Sequence, residues 1–145
     1  MPAITARPKK RVRKKPVLPD RTMNPAHMLA VLDRHPGLKR HPIGPEGAKY
    51  MTAFVAGNGA FIGAETTGTS YATFWIEAAD VTHSIASLGD IALTHYERGD
   101  PRISALKKYG AIWTAAAYRV VPRDPADIQR IVEAIATRPA TRSAA

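Results

Sequence analysis

The segment Ser70 to Glu77 constrains the fold most. Read as a strand, it places Tyr71, Thr73 and Trp75 on one side and Ala72, Phe74 and Ile76 on the other. Both sides are largely apolar, so the strand must be central and covered on both faces. Two further strands precede it, Tyr50 to Ala56 and Ala60 to Glu65. Between those two, Gly57-Asn58-Gly59 signals a hairpin, because Asn-Gly readily takes positive φ at both central positions. A second turn around Gly68, Thr66 to Thr69, completes a three-stranded meander.

Helices supply the cover. Asn24 before Pro25 pairs an Asn cap with a proline at the first helical position. Met28, Leu29, Val31 and Leu32 carry an apolar stripe to about Arg34, and His35-Pro36-Gly37 ends it. Near the other end, Asp124 caps, Pro125 opens the helix and Asp127 lies in the first turn, near the positive end of the dipole. Ile128, Ile131, Val132 and Ile135 fall at i, i+3, i+4 and i+7, one face that packs on the sheet. Pro36 to Gly47, with three prolines and three glycines, is expected to be an irregular loop. Asp80 starts a short helix through Leu88, closed by Gly89. Ile91 to Tyr96 is the fourth strand, Arg102 to Tyr109 a short helix stopped by Gly110, and Ala111 to Val121 the fifth strand. The expected fold is α+β: an antiparallel-rich sheet of about five strands with an N-terminal helix, one or two short helices and a C-terminal amphipathic helix on the sheet.

Charge divides the chain differently from hydrophobicity. Residues 1–22 hold eight cations against Asp20 alone, a net +7, whereas the other 123 residues hold 13 cations and 11 anions. Prolines 2, 8, 16 and 19, few apolar residues and mutual repulsion leave residues 1–22 unable to fold alone, so they read as a disordered basic arm. Residues 23–137 read as one α+β domain and 138–145 as a flexible tail. Without cysteine there is no disulfide scaffold, thiolate catalysis or Cys-based metal site. The longest largely apolar stretch, Ala111 to Tyr118, stops at Arg119 and is too short to span a bilayer. The charged N-terminus lacks the apolar segment of a secretory signal.

An arm of this kind neutralises phosphates. Lys9, Lys10, Arg11, Arg13, Lys14 and Lys15 form its dense part, and Lys39 and Arg40, just after the first helix, extend the basic track. Five to seven phosphate contacts would give log K a slope of roughly −4 to −6 against log salt, with little sequence information. Pro8 to Lys15 resembles a monopartite nuclear localisation signal, with Lys10-Arg11-Val12-Arg13 matching its core. An alanine-rich body with more arginine than lysine points instead to a GC-rich bacterial genome and a cytoplasmic location.

Chemical motifs are sparse. Walker and Gly-x-Ser-x-Gly patterns are missing, and in Gly57-Asn58-Gly59-Ala60-Phe61-Ile62-Gly63 the last glycine falls one place too late for a dinucleotide loop. The five histidines lack helical zinc spacing; His35 and His41, with Asp33 nearby, are the nearest approach to a loop metal site, and no metal or cofactor is expected. His95, as general base, and Arg98, as anion clamp, are the catalytic candidates, at the end of the fourth strand. Strand alternation separates His95 from Tyr96, and the strand-borne carboxylates Glu65 and Glu77 lack the lysine pattern of a common nuclease fold. Tyr71, Phe74, Trp75, Trp113 and Tyr118 are candidates for base stacking, although a body this small needs aromatics for its core.

The expectation is a non-enzymatic nucleic-acid-associated protein. Its arm grips DNA or RNA, its body serves docking or oligomerisation, and no membrane partner is involved. The alternatives are a small nuclease or phosphodiester hydrolase centred on His95, and an assembly component of a nucleoprotein or virion.

Overall fold

The computed structural model describes residues 15–41, 51–66, 70–81 and 85–136. Its frame is a six-stranded antiparallel sheet: β1 (Leu38–Arg40), β2 (Met51–Ala56), β3 (Phe61–Glu65), β4 (Phe74–Glu77), β5 (Ala92–Tyr96) and β6 (Ala117–Val121). The order is β1-β2-β3-β4-β6-β5, so β6 inserts between β4 and β5 and leaves β1 and β5 as the two edges.

Two α-helices cover one face. In α1 (Pro25–Arg34), Asn24 Oδ1 accepts from the Ala26 amide at 2.7 Å, and Met28 and Leu32 are buried one turn apart. In α2 (Pro125–Ala136), Asp124 Oδ1 accepts from the Asp127 amide at 3.1 Å, and Asp127 Oδ2 accepts in return from the Arg123 amide at 2.9 Å. Ile128, Ile131, Val132 and Ile135 are all fully buried against Phe54, Ile62, Phe74, Ile76 and Val120. Each such side chain contributes about 1.5–3 kcal/mol of apolar burial. Both helices lie where the caps and stripes of the sequence place them.

The second face is covered by a 3-10 segment, Ser104–Trp113, kinked at Gly110, whose φ of 81° suits glycine. Leu106, Tyr109 and Ile112 pack there on Met51, Ala53, Phe61, Trp75, Tyr96 and Ala117. On β4, Phe74 and Ile76 therefore face the helices and Trp75 the other layer, as the two-sided apolar pattern requires. Gly63 is needed on this side, because a Cβ there would stand 2.8 Å from Met51 Sδ and 2.9 Å from the Phe61 ring.

Several expectations need correction. The sheet has six strands rather than about five, because Leu38–Arg40 pairs with Phe54 to Ala56 inside what reads as an irregular loop. Residues 42–50 of that loop lie outside the described residues. The third strand is shorter than Ser70–Glu77, although the Glu65 amide still donates to the Thr73 carbonyl at 3.0 Å. The fifth expected strand begins only at Ala117; its first half, Ala111 to Trp113, continues the 3-10 segment because Ile112 is taken up by the second-face core. The short α-helices expected near Asp80 and Arg102 are 3-10 turns: Ala78–Val81, Ile85–Leu88 and Ser104–Trp113. At the hairpin, only Gly59 has positive φ (91°), and Asn58 does not. The turn is thus a three-residue loop closed by a glycine bulge; Asn58 Oδ1 accepts from the Ala60 amide while its Nδ2 donates to the Ile135 carbonyl at 2.7 Å. Among the described residues no helix is long and apolar enough to cross a membrane.

Candidate functional site

The basic leader enters the described region at Lys15, and residues 15–23 run along the body without regular secondary structure. Three bonds fix their course. The Ala72 amide donates to the Met23 carbonyl at 2.8 Å, Arg21 Nη2 meets Asp124 Oδ2 at 2.7 Å, and the Val17 amide donates to Thr94 Oγ1 at 2.7 Å. Asp124 follows the end of β6, level with the start of β5, whereas Thr94 is the middle residue of β5. Followed back towards its N-terminus, the leader therefore passes β5 in the Ala92-to-Tyr96 direction. Lys15 lies two residues beyond the Thr94 tie, at most about 7 Å of extended chain. Val17 (53% exposed) and Leu18 (54%) are the only large exposed hydrophobics among the described residues.

Six arginines among the described residues are held by internal partners. Arg21 pairs with Asp124. Arg40 forks onto Asp33 at 2.7 and 2.6 Å; the hydrogen bond holds the Asp33 carboxyl below its usual range and raises the guanidinium. Arg123 is bound to Asp127 and Asp90, and Arg130 to Asp90 and the Ser87 carbonyl. The Arg130 hydrogen bond is the main reason that the Asp90 carboxyl lies far below its usual range. Arg102, only 3% exposed, donates to the carbonyls of Glu97, Asp100, Ile112 and Ala115 at 2.7–3.1 Å and so ties the turn after β5 to the end of the 3-10 segment. Burial pulls its pKa down, but no arginine deprotonates near neutrality.

Arg119, 7% exposed, lies at the centre of the second face. Its Nη2 is 2.8 Å from Glu65 Oε2, which also accepts from Trp75 Nε1 at 2.7 Å. The guanidinium carbon lies 5.3 Å from the centroid of the Trp75 ring. Glu65, Trp75 and Arg119 come from three adjacent strands, and Trp75 and Arg119 are direct cross-strand partners. Such a buried pair is costly to break from one side, by about 3–5 kcal/mol, because the remaining charge cannot be hydrated.

The remaining described cations with side chains in view, Lys15, Arg34, Lys39, Arg98 and Lys107, meet no carboxylate among the described residues. Lys9, Lys10, Arg11, Arg13 and Lys14 lie outside the described residues. Lys39 and Arg40 are on β1, at the edge opposite β5, and five strand spacings put about 24 Å between the two edges. Lys39 lines an open groove of about 670 Å³ with Pro36, Gly37, Val55, Gly57 and Asn58, and is its one charged lining residue among the described residues.

His95 and Arg98 sit at the leader's edge of the sheet. His95 is exposed and stacks obliquely on its cross-strand partner Tyr118, ring centroids 5.1 Å apart, while Tyr96 is fully buried on the other face. Arg98 is exposed in the turn that Gly99 closes at φ 83°. Glu65, considered above as a strand-borne acid, is occupied by Arg119 and Trp75; Glu77 is half-buried at the end of β4. Among the described residues there is no group of three His, Asp or Glu side chains able to hold a metal. His35 Nδ1 accepts from the Gly37 amide, Asp33 is held by Arg40, and His41 is turned onto Phe61 and Tyr109, where burial lowers its pKa. Of the candidate stacking rings, Phe74 and Trp75 are wholly buried, Trp113 is part of the second-face core, and Tyr71 and Tyr118 are half-buried.

Sequence reasoning missed the leader's tie to Thr94, the buried roles of Arg102 and Arg119, and the His95–Tyr118 pair. Each depends on strand register, and none leaves a local signature. Comparison with known proteins adds no identity: no family model, curated protein or solved structure matches the chain.

Proposed function

We propose that this protein is nucleic-acid-associated and non-enzymatic, binding DNA or RNA phosphates through its basic leader while the body serves docking or oligomerisation. The observation that carries this reading is the division of charge. Residues 1–22 hold a net +7, while six described arginines, all but Arg21 from the body, already have internal partners. Lys9, Lys10, Arg11, Arg13, Lys14 and Lys15 supply the grip. Lys39 is a body cation open to the same ligand, and Arg40 beside it is already neutralised by Asp33. Phosphate contacts of this kind position without specifying bases, so weak sequence preference and steep salt dependence belong to the reading.

The test is removal of residues 1–14. Binding of a labelled oligonucleotide, followed by fluorescence anisotropy, should lose at least about a hundredfold in affinity near 0.1 M salt. Melting should stay unchanged, because Val17, Arg21 and Met23 keep their ties. Undiminished affinity of the shortened chain would overturn the reading. Exposed Val17 and Leu18, beside the cations, favour a second reading, in which the leader threads into a protein of a larger nucleoprotein assembly. In that case Val17→Ser with Leu18→Ser abolishes copurification of that protein and leaves oligonucleotide affinity unchanged.

A further inference from the structure

We infer that Arg21 is a further phosphate contact of the leader, held in reserve in the free protein by Asp124. This rests on the phosphate-binding reading above and adds a cation whose access the body controls. Arg21 is held by a single hydrogen bond, from Nη2 to Asp124 Oδ2 at 2.7 Å, and its other N–H groups meet no acceptor among the described residues. By contrast, Arg40 forks onto both oxygens of Asp33, and Arg130 holds both oxygens of Asp90 and the Ser87 carbonyl. The Arg21 and Asp124 side chains are 62% and 35% exposed, against 8% and 5% for Arg119 and Glu65. Parting them therefore costs an exposed ion pair and strands no buried charge. Asp124 keeps its own role when Arg21 leaves, because its Oδ1 still accepts from the Asp127 amide and caps α2.

Position makes this pair a competitor for the leader's ligand. Arg21 follows Lys15 by six residues, so the two lie within about 21 Å even on a fully extended chain. One strand of a duplex carries a charge for every 3.4 Å or so of its axis, so a ligand gripped at Lys15 has phosphates within reach of Arg21. The hydrogen bond from Arg21 is also the main reason that the Asp124 carboxyl titrates below its usual range. Asp124 is thus a carboxylate at neutral pH and opposes phosphate as one anion opposes another at the same guanidinium. Removing its charge while keeping its cap should release Arg21 to the ligand.

The experiment uses the full chain and labelled DNA and RNA oligonucleotides, read by fluorescence anisotropy over a range of salt. Asp124→Asn and Asp124→Ser both remove the charge and keep a side chain that caps a helix well, so α2 should survive in each. Each should tighten binding about twofold to fivefold, as the loss of an exposed competing ion pair allows. Each should also steepen the slope of log affinity against log salt by about 0.9, one more phosphate contact. In an Arg21→Gln background the same substitutions should change neither quantity. Unchanged affinity and slope in both variants overturn the reserve contact while the leader reading stands. A gain that persists in the Arg21→Gln background overturns it too, because the gain then comes from the body's lost negative charge and not from Arg21. If removal of residues 1–14 leaves binding of both oligonucleotides unchanged, the leader reading fails, and the reserve contact with it.

Discussion

Cations in the leader and cations in the body have the same chemistry and opposite roles. In the body, Arg102 and Arg119 are buried: Arg102 donates to four carbonyls, Arg119 is held through Nη2 by the Glu65 carboxylate, and their guanidinium groups lie over the Tyr96 and Trp75 rings. Arg123 and Arg130 fasten α2 to the loop around Asp90. These charges are part of the folded structure and project little field. Lys15, where the leader meets the body, is exposed and has no carboxylate partner among the described residues. A high pI therefore says little about a protein's surface until each cation's partner is known. The boundary between the two regions is at Arg21 and Val17, where the leader is already tied to Asp124 and Thr94.

This contrast can be broken most forcefully at Glu65. Glu65→Ala leaves Arg119 buried without its counter-charge and Trp75 Nε1 without its acceptor, at an expected cost of about 3–5 kcal/mol in chemical denaturation. Affinity for oligonucleotides should not change beyond the loss of folded protein. A cost below about 1 kcal/mol would show that Arg119 is not a structural cation. Arg102→Lys comes next. One ammonium cannot reproduce a guanidinium that reaches four carbonyls, so a loss of about 2–3 kcal/mol is expected, again with the salt dependence of binding unaltered. A steeper or shallower salt slope in this variant would place Arg102 among the binding cations instead.

The smallest effect is on pH. Asp33 and Asp124 have folded pKa values lowered, chiefly by hydrogen bonds from Arg40 and Arg21, relative to an ordinary 3.8. Their stabilisation is complete above that value and is lost as pH falls through the lower folded pKa. His41, lowered from 6.5 by burial, behaves in the same sense at higher pH: its contribution is present above 6.5 and fades below. Melting temperature should decline slightly below pH 6.5 and more steeply below 3.8. His41→Phe should remove the first decline, and Arg21→Ala should soften the second while freeing the leader's root. A melting temperature independent of pH from 7 to 3 would contradict these assignments.

The helices were legible because their signals are local. Asn24-Pro25 and Asp124-Pro125 are caps, and Ile128 to Ile135 is a stripe. The central strand was legible because its two-sided apolar pattern admits one placement. β1 was not, since the prolines and glycines around Leu38–Arg40 mask a pairing fixed by its neighbour β2. Ala111 to Trp113 misled because an apolar run fits a strand as well as a 3-10 turn, and only the Gly110 kink and the second-face core decide. At the site, charge segregation was visible in the composition of residues 1–22. The ring pair was not, because His95 meets Tyr118 only through the register of β5 on β6.

The most direct test is the slope of log affinity against log salt for a duplex, measured on the full chain and on a variant with Lys9, Lys10, Arg11, Arg13, Lys14 and Lys15 all changed to Gln. A slope of roughly −4 to −6 should collapse towards zero, by about 0.9 for each contact removed, while the melting temperature stays the same. The same slope in both proteins would mean that the body, and not the leader, carries the grip.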